Sequence, residues 1–145
     1  MSIVRLTTEL PISAEAAYEL AQKPELFKYV VSPILRVPKL DFPDRIAPGA
    51  QASARLWWFG VIPSWTHRLT LVRLEPTEIY TNERGGPVRT WNHHLTFTPI
   101  DDNRCRYTDE VETDDGVTGF GTRLFIHLIF RYRHLRWRAL TRVLA

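Results

Sequence analysis

His93 and Asp109 are the side chains of this sequence best suited to acid–base chemistry. Alternation along two adjacent predicted strands puts each on an apolar face: Trp91, Leu95 and Phe97 accompany His93, and Cys105, Tyr107 and Val111 accompany Asp109. If the strands pair through the turn at 99–103, the imidazole and the carboxylate meet on one buried face. Such a pair can act as a general acid and base, or it can be a hydrogen-bonded pair that fixes strand register. Because no third catalytic group stands at a fixed spacing, the structural interpretation is favoured.

Metal, thiol and cofactor chemistry have little support in the sequence. His93 and His94 are adjacent and therefore point to opposite faces of a strand, and no other ligand set converges on them. Cys105 is the single cysteine, which excludes an internal disulfide, and its inward position predicts an inert buried thiol. We therefore expect no metal site and no cofactor.

The composition predicts one globular domain that spans residues 1–145. Hydrophobic residues make up 44% of the chain and charged residues 24%, which excludes intrinsic disorder. The N-terminal segment lacks the apolar core of a signal peptide, and the apolar run at 124–130 is far shorter than a membrane span. These features predict a cytoplasmic protein.

The net charge of +3 is unevenly distributed along the chain. Six of the 19 basic residues are arginines that follow Asp115, where the sequence has no acid, whereas the chain up to Asp115 has a net charge of −3. Nucleic-acid binding requires a recognisable reading element as well as basic residues, and the sequence contains no such element. We therefore expect no nucleic-acid partner.

The order of the predicted elements indicates an α+β fold with an antiparallel sheet. A strand over 3–10 is followed by two short helices, over 14–22 and 24–29, and by an edge strand over 35–37. Five further strands cover 51–59, 64–74, 78–83, 88–98 and 104–113, and a long helix runs from Gly119 to the C-terminus. Ser13 is a predicted N-cap, and Pro24 is tolerated in a first helical turn.

The C-terminal helix has a broad apolar surface. Its apolar side chains, including Leu124, Leu128 and Leu135, cover an arc of about 240°, more than twice what one contact layer requires. The remaining arc is basic and predicted to be solvated; it holds Arg123, His127, Arg131, His134 and Arg138. Besides the sheet, a loop, a ligand, a lipid or a second subunit must therefore cover part of this helix.

Five motifs are spread along the sequence: Phe59-Gly60 to Trp65, Gly86-Pro87 to Trp91-Asn92-His93 and Phe97, Tyr107-Thr108-Asp109-Glu110-Val111, Gly116 to Gly121, and Arg131 to Leu135. Together they resemble the START-like (SRPBCC, helix-grip) superfamily, in particular a bacterial ligand-binding or polyketide cyclase/dehydrase-like branch. The resemblance implies a curved antiparallel sheet wrapped around the long C-terminal helix, with two short helices after the first strand and a cavity between sheet and helix. Thr113 stands where the branch usually has an aromatic residue.

Our first functional hypothesis is the binding of an apolar small molecule, such as a lipid, polyketide, isoprenoid or quinone-like compound, in that cavity. Aromatic residues would form its walls and two polar residues would orient one end of the ligand: Trp58, Trp65, Trp91, Phe97 and Tyr107 as walls, with His93 and Asp109 as the polar pair. The alternative is a cyclase or dehydratase that moves protons through His93 and Asp109. The lack of a convincing catalytic set favours binding.

A third hypothesis concerns the C-terminal helix. A broad apolar arc beside a wholly cationic arc is typical of helices that lie on anionic membranes or on a partner. This pattern predicts weak, salt-sensitive membrane contact in addition to ligand binding, by a monomer or a homodimer.

Overall fold

A computed structural model describes residues 2–43, 45–86, 88–113 and 119–145 of the chain. Pro87 and the first part of the Gly116–Gly121 motif lie outside these ranges. The described strands are β1 (Ser2–Leu10), β2 (Leu35–Asp41), β3 (Gln51–Trp58), β4 (Ile62–Glu75), β5 (Glu78–Gly85), β6 (Val88–Asp101) and β7 (Arg104–Thr113). They form one antiparallel, curved sheet in the order β1-β7-β6-β5-β4-β3-β2. Because β4 and β6 are both antiparallel to β5, they run in the same direction.

The described ranges also contain three helices: α1 (Ala14–Ala21), α2 (Pro24–Val31) and α3 (Gly119–Leu144). The hydroxyl of Ser13 accepts a hydrogen bond from the amide of Ala16 at 3.1 Å, so the predicted N-cap of α1 is confirmed. Pro24 occupies the first turn of α2, where its missing N–H costs nothing. The predicted α+β order of strand, two helices, six strands and long helix is therefore confirmed.

The buried face of α3 differs from the predicted one. Leu124, Leu128 and Leu135 are 49%, 60% and 49% exposed, whereas His134, which the pattern assigns to the solvated arc, is 1% exposed. The side chains buried along the helix share spacings of three and four residues; they are Thr122, Ile126, Phe130, His134, Trp137 and Thr141. The difference arises because large residues at the edge of the apolar arc pack on the sheet and His134 finds a buried hydrogen-bond partner there.

Two groups of buried apolar side chains fill the space between the sheet and the helices. The larger one joins α1 and α2 to all seven described strands, with Leu10 of β1 and Trp137 of α3 among its members. The smaller one joins the first half of α3 to β1, β6 and β7 through Ile126 and Phe130. None of the helices in the described part of the chain combines the length and the apolar character needed to cross a membrane.

Candidate functional site

His93 on β6 and Asp109 on β7 meet on the buried face of the sheet, as their alternation predicts. His93 pairs with Val111 and Leu95 with Asp109, so the two polar residues are diagonal neighbours across the strand pair. Nε2 of His93 lies 2.5 Å from Oδ1 of Asp109, and the two side chains are 3% and 1% exposed. This is the short separation of a charge-assisted hydrogen bond.

A second carboxylate, that of Glu83 on β5, lies on the other side of His93. Its Oε2 atom is 3.1 Å from Nδ1 of His93 and 2.5 Å from Oγ1 of Thr81. Its Oε1 atom is 2.6 Å from Nε2 of His67 on β4. The indole N–H of Trp65 donates to Nδ1 of His67 at 3.2 Å. Three adjacent strands thus supply a continuous row of hydrogen bonds.

Helix α3 extends the row beyond Asp109. Nε2 of His134 lies 2.7 Å from Oδ2 of Asp109, and both side chains are almost fully buried. The result is an uninterrupted sequence of ionisable groups, which we call the histidine–carboxylate chain: His67, Glu83, His93, Asp109 and His134. It connects the middle of the sheet to the long helix.

The hydrogen-bond partners determine where the protons of the chain lie. An indole N–H only donates, so Nδ1 of His67 accepts and its proton is on Nε2, which donates to Glu83. His93 has a carboxylate oxygen at each ring nitrogen, and both nitrogens donate only when the ring is an imidazolium. His134 faces Asp109 through Nε2, while its Nδ1 is buried with no hydrogen-bond partner among the described residues. The chain therefore holds one imidazolium between two carboxylates.

The pKa shifts agree with this arrangement. Burial alone would lower the pKa of His93, but attraction to Asp109 and hydrogen bonds to Asp109 and Glu83 raise the pKa to about 9. Burial alone would raise the pKa of Asp109, but His93 and His134 hold that pKa well below its usual range. Burial opposes the ionisation of Glu83 as well, and hydrogen bonds from His67 and His93 keep its pKa well below the ordinary value.

Arg133 on α3 adds a second positive charge close to the chain. Its attraction to Asp109 contributes to the low pKa of that carboxyl group. The guanidinium carbon lies 4.6 Å from the ring centroid of Phe130, a cation–π contact that holds the side chain in place. Two buried carboxylates are therefore matched by the imidazolium of His93 and the guanidinium of Arg133.

A cavity of about 160 Å³ lies between β3–β6 and helices α2 and α3. Its walls are mostly apolar, and the apolar residues include Leu26, Val30, Ala52, Ala54, Leu71 and Leu95. Four polar side chains form one wall: His67, Thr81, Glu83 and His93. Arg133 and Trp137 line it from α3, and Lys23, Phe42 and Gln51 are exposed residues of its lining. The histidine–carboxylate chain thus forms part of the cavity surface.

The structure places the predicted ligand-binding residues in four different surroundings. His93 lines the cavity. Trp58, Trp65 and Trp91 belong to a contiguous aromatic group with Phe125, whereas Phe97 and Tyr107 stack on each other beside Trp137. These five aromatic residues and Asp109 are not among the residues that line the cavity. The aromatic residues pack around the histidine–carboxylate chain, and Asp109 lies one hydrogen bond away from the cavity wall.

The positions of the remaining candidates limit thiol and metal chemistry. Cys105 is fully buried, and burial, with a contribution from Glu15, raises the pKa of its thiol to about 11, so little thiolate forms at neutral pH. Within the described ranges, no three His, Cys, Asp or Glu side chains are arranged to hold a metal ion.

Sequence reasoning missed three members of the chain. Ile79, Thr81 and Glu83 occupy every second position of β5 and therefore share one face. Because Ile79 is apolar, this alternation was a signal that Thr81 and Glu83 also face inward. His67 on β4 is a diagonal neighbour of Glu83 on the adjacent strand β5, and this pairing depends on a strand register that the sequence alone does not give. His134 looked like part of a solvated stripe because helical periodicity does not reveal a buried carboxylate on a distant strand.

Comparison with solved structures supports the fold. The chain is similar to a START superfamily protein from Mycobacterium smegmatis (14% identity, TM-score 0.79), with 99% of each chain covered. It is similar to a protein from Arthrobacter aurescens (11% identity, TM-score 0.77), with 96% of this chain and 85% of that chain covered. It is also similar to the Zhui aromatase/cyclase from Streptomyces sp. R1128 (15% identity, TM-score 0.62), with 93% and 87% covered. The predicted START-like fold is confirmed.

Comparison at the level of sequence gives the family. No functionally curated protein matches the chain. Residues 9–142 match a family described as "Domain of unknown function (DUF8410)", and this match covers nearly the whole chain. The protein therefore belongs to the DUF8410 family.

Proposed function

We propose that the protein binds a small apolar molecule that carries one hydrogen-bond donor. The observation that carries this proposal is a cavity of about 160 Å³ with a mostly apolar lining, in which His67, Thr81, Glu83 and His93 form a hydrogen-bonded polar group. An apolar enclosure with a few convergent polar groups is the usual composition of a ligand site. Lipid, polyketide, isoprenoid and quinone-like compounds all belong to the apolar class expected from the sequence.

The volume of the cavity favours a small ligand or one end of a larger one. A cavity of about 150 Å³ accommodates a single benzene ring, so about 160 Å³ holds one ring or a short branched chain. Phe42 and Ile46, which lie between β2 and β3, form part of the cavity wall. A multi-ring compound would fit only if this part of the wall moved outward. We therefore propose a single aromatic ring or an isoprenoid end as the enclosed group.

Glu83 is the residue that we expect to orient this group. Among the described residues, its Oε2 atom accepts from Thr81 and His93, whereas its Oε1 atom accepts from His67 alone. A carboxylate oxygen accepts about two hydrogen bonds, so one acceptor position on Oε1 is unused. A phenol or alcohol hydroxyl fits this position better than a bare hydrocarbon does.

Catalysis by His93 and Asp109 has weaker support. Both ring nitrogens of His93 donate to carboxylates, and the pKa of about 9 keeps the ring protonated at neutral pH, so it has no lone pair with which to act as a base. Asp109 accepts from two histidines and its low pKa makes it a weak base. The aromatase/cyclase activity of one structural relative belongs to that protein; for this chain the cyclase or dehydratase remains the second candidate.

The proposal is tested by titrating methyl-labelled protein with phenol and with toluene and following the NMR signals of Leu71 and Leu95. Both compounds should cause saturable shifts at these cavity-lining residues, and phenol should bind more tightly because its hydroxyl donates to Glu83. Ala54→Leu, which fills the cavity, should abolish the shifts. Ala139→Leu on the exposed side of α3 is the matched control and should leave them unchanged.

Two results would overturn the proposal. Absence of saturable shifts with either compound would show that the cavity does not admit a ring, and equal shifts in Ala54→Leu would place binding elsewhere. Native mass spectrometry of protein purified from its own host identifies the natural class: a retained lipid, isoprenoid or quinone-like compound that carries a hydroxyl group supports the proposal. Turnover of a polyketide-like substrate that is lost in His93→Gln supports the enzyme instead.

A further inference from the structure

We propose that the hairpin tip formed by Phe59, Gly60, Val61 and Ile62, between β3 and β4, inserts into anionic membrane surfaces. Three of its side chains are large, apolar and exposed: Phe59 is 62% exposed, Val61 71% and Ile62 57%. Exposed apolar side chains are common singly, but three of them at one hairpin tip form a patch that calls for a partner. This inference is independent of the ligand proposed for the cavity.

Phe59 adopts a left-handed backbone conformation that is unfavourable for a bulky residue. Phe59 has φ = 52° and Gly60 has φ = 76°, and the amide of Val61 donates to the carbonyl of Trp58 at 3.0 Å. Positive φ at both central residues is the pattern of a type I′ turn, in which Asn followed by Gly is strongly preferred. A bulky residue is unfavourable in the left-handed region. The chain therefore holds a phenylalanine outward at a position where a polar residue would be more stable.

The tip is a fixed structure with its own support. The amide of Phe59 donates to the carbonyl of Ile34 at 2.8 Å, which ties the turn to the segment before β2. A Cβ atom added at Gly60 would lie only 3.2 Å from Cγ of Arg36, so the aliphatic part of the arginine side chain packs against the turn. An insertion device needs such rigidity, because apolar side chains that are already held outward lose little entropy on binding.

The surroundings of the tip favour an anionic lipid surface over other partners. Beside the tip lies a shallow groove whose lining includes Lys28, Tyr29, Arg36, Trp57 and Gly60, and none of its described lining residues is acidic. Lys28 and Arg36 are exposed, and no described acid forms an ion pair with either. Amphipathic Trp and Tyr rings are enriched where protein meets lipid headgroups, and basic residues attract anionic lipids. An apolar tip, an aromatic border and two cations together match the layers of an anionic bilayer surface.

The first turns of α3 lie near the same end of the molecule. The ring of Phe125 is 6.2 Å from that of Trp65, which follows the tip on β4. Phe120, closer to the start of the helix, is 75% exposed. The exposed α3 surface with Leu128, Arg131 and Leu135 is a separate face, and substitution of Leu128 tests its contribution to membrane binding.

The test is co-sedimentation of the full chain with vesicles of phosphatidylcholine alone and of phosphatidylcholine with phosphatidylglycerol, at low and high salt. Binding should require phosphatidylglycerol and weaken with salt. Phe59→Asn should lower binding about tenfold, since one large apolar side chain is lost from the inserted tip. The same change should not lower the melting temperature, because it creates the preferred Asn-Gly turn. Val143→Asn, at the exposed opposite end of α3, should change neither quantity.

Several outcomes would overturn this inference. Absence of binding to phosphatidylglycerol vesicles at low salt would exclude the membrane, and a protein partner would then be the occupant to seek. Unchanged binding by Phe59→Asn, with loss in Leu128→Asn, would place the contact on the outer face of α3. A lower melting temperature in Phe59→Asn would mean that the phenylalanine serves packing instead of insertion.

Discussion

Nε2 of His93 lies 2.5 Å from Oδ1 of Asp109, in an interior where the two side chains are 3% and 1% exposed. The pair is bonded on both sides, since His93 also contacts Glu83 and Asp109 also contacts His134. Burial of an unpaired charge is costly, so each member of this row depends on its neighbours. Removing one member therefore leaves others buried and uncompensated.

We expect His93→Ala to be among the most destabilising single substitutions in the protein. It leaves Glu83 and Asp109 buried without the cation between them, and breaking a buried pair in this way costs about 3–5 kcal/mol. Urea denaturation measures the free energy of unfolding. The control is His94→Ala. The His94 side chain is partly exposed on the opposite face of β6, with its Nε2 atom 3.6 Å from Oε1 of Glu78, and its loss should lower the free energy of unfolding by less than about 1 kcal/mol. Similar losses in both variants would contradict the account.

Stability should decrease as the pH rises from about 6.5 to 9. The pKa of His93 is raised from 6.5 to about 9, so its stabilising contribution is complete below pH 6.5 and is lost as the pH approaches 9. A shift of this size corresponds to on the order of 3 kcal/mol. His93→Gln should remove this slope. The lowered pKa values of Glu83 and Asp109 give the opposite pH dependence of stability. The stabilisation by these carboxylates is present above pH 4.5 and is lost as the pH falls below it. A flat free energy of unfolding between pH 6.5 and 9 would contradict this account.

Gly86→Ala should destabilise the protein and disturb Trp65. Gly86 has φ = 68°, and a Cβ atom there would lie 2.7 Å from a ring carbon of Trp65, whose indole donates to His67. Gly49→Ala is the matched control, because Gly49 also has a positive φ (92°) but no described atom lies within 4 Å of a Cβ atom added there. Both variants should lose about 1 kcal/mol of stability from the strained backbone. The clash with Trp65 should make the melting temperature of Gly86→Ala about 4 °C lower than that of Gly49→Ala. Equal melting temperatures would show that the turn does not hold Trp65 in place.

Strand alternation and turn residues predict most of this fold. They give the element order, the N-cap at Ser13 and the shared face of His93 and Asp109, because these depend on local patterns of period two and on neighbouring strands. The contact of His134 with Asp109 joins residues 25 positions apart on a helix and a strand, and it depends on how α3 is rotated against the sheet. Helical periodicity predicts an apolar arc, but the packing of Phe130 and Trp137 decides which part of that arc is buried.

The cavity was harder to foresee than the residues around it. A list of inward aromatic residues does not distinguish those that fill a core from those that border an empty space. Trp91 packs on Phe130, and Tyr107 packs on Trp137. The cavity instead lies where small side chains, Ala52 and Ala54 on β3, face α2. Small residues on the inward face of β3 were the sequence signal for the cavity.

The central claim, an imidazolium held between two buried carboxylates at the cavity wall, is tested most directly by NMR of the histidine ring nitrogens. His93, assigned by comparison with His93→Gln, should show two protonated nitrogens at pH 7 and should titrate with a pKa of about 9. A neutral His93 ring at pH 7, with a pKa at or below 6.5, would contradict the claim.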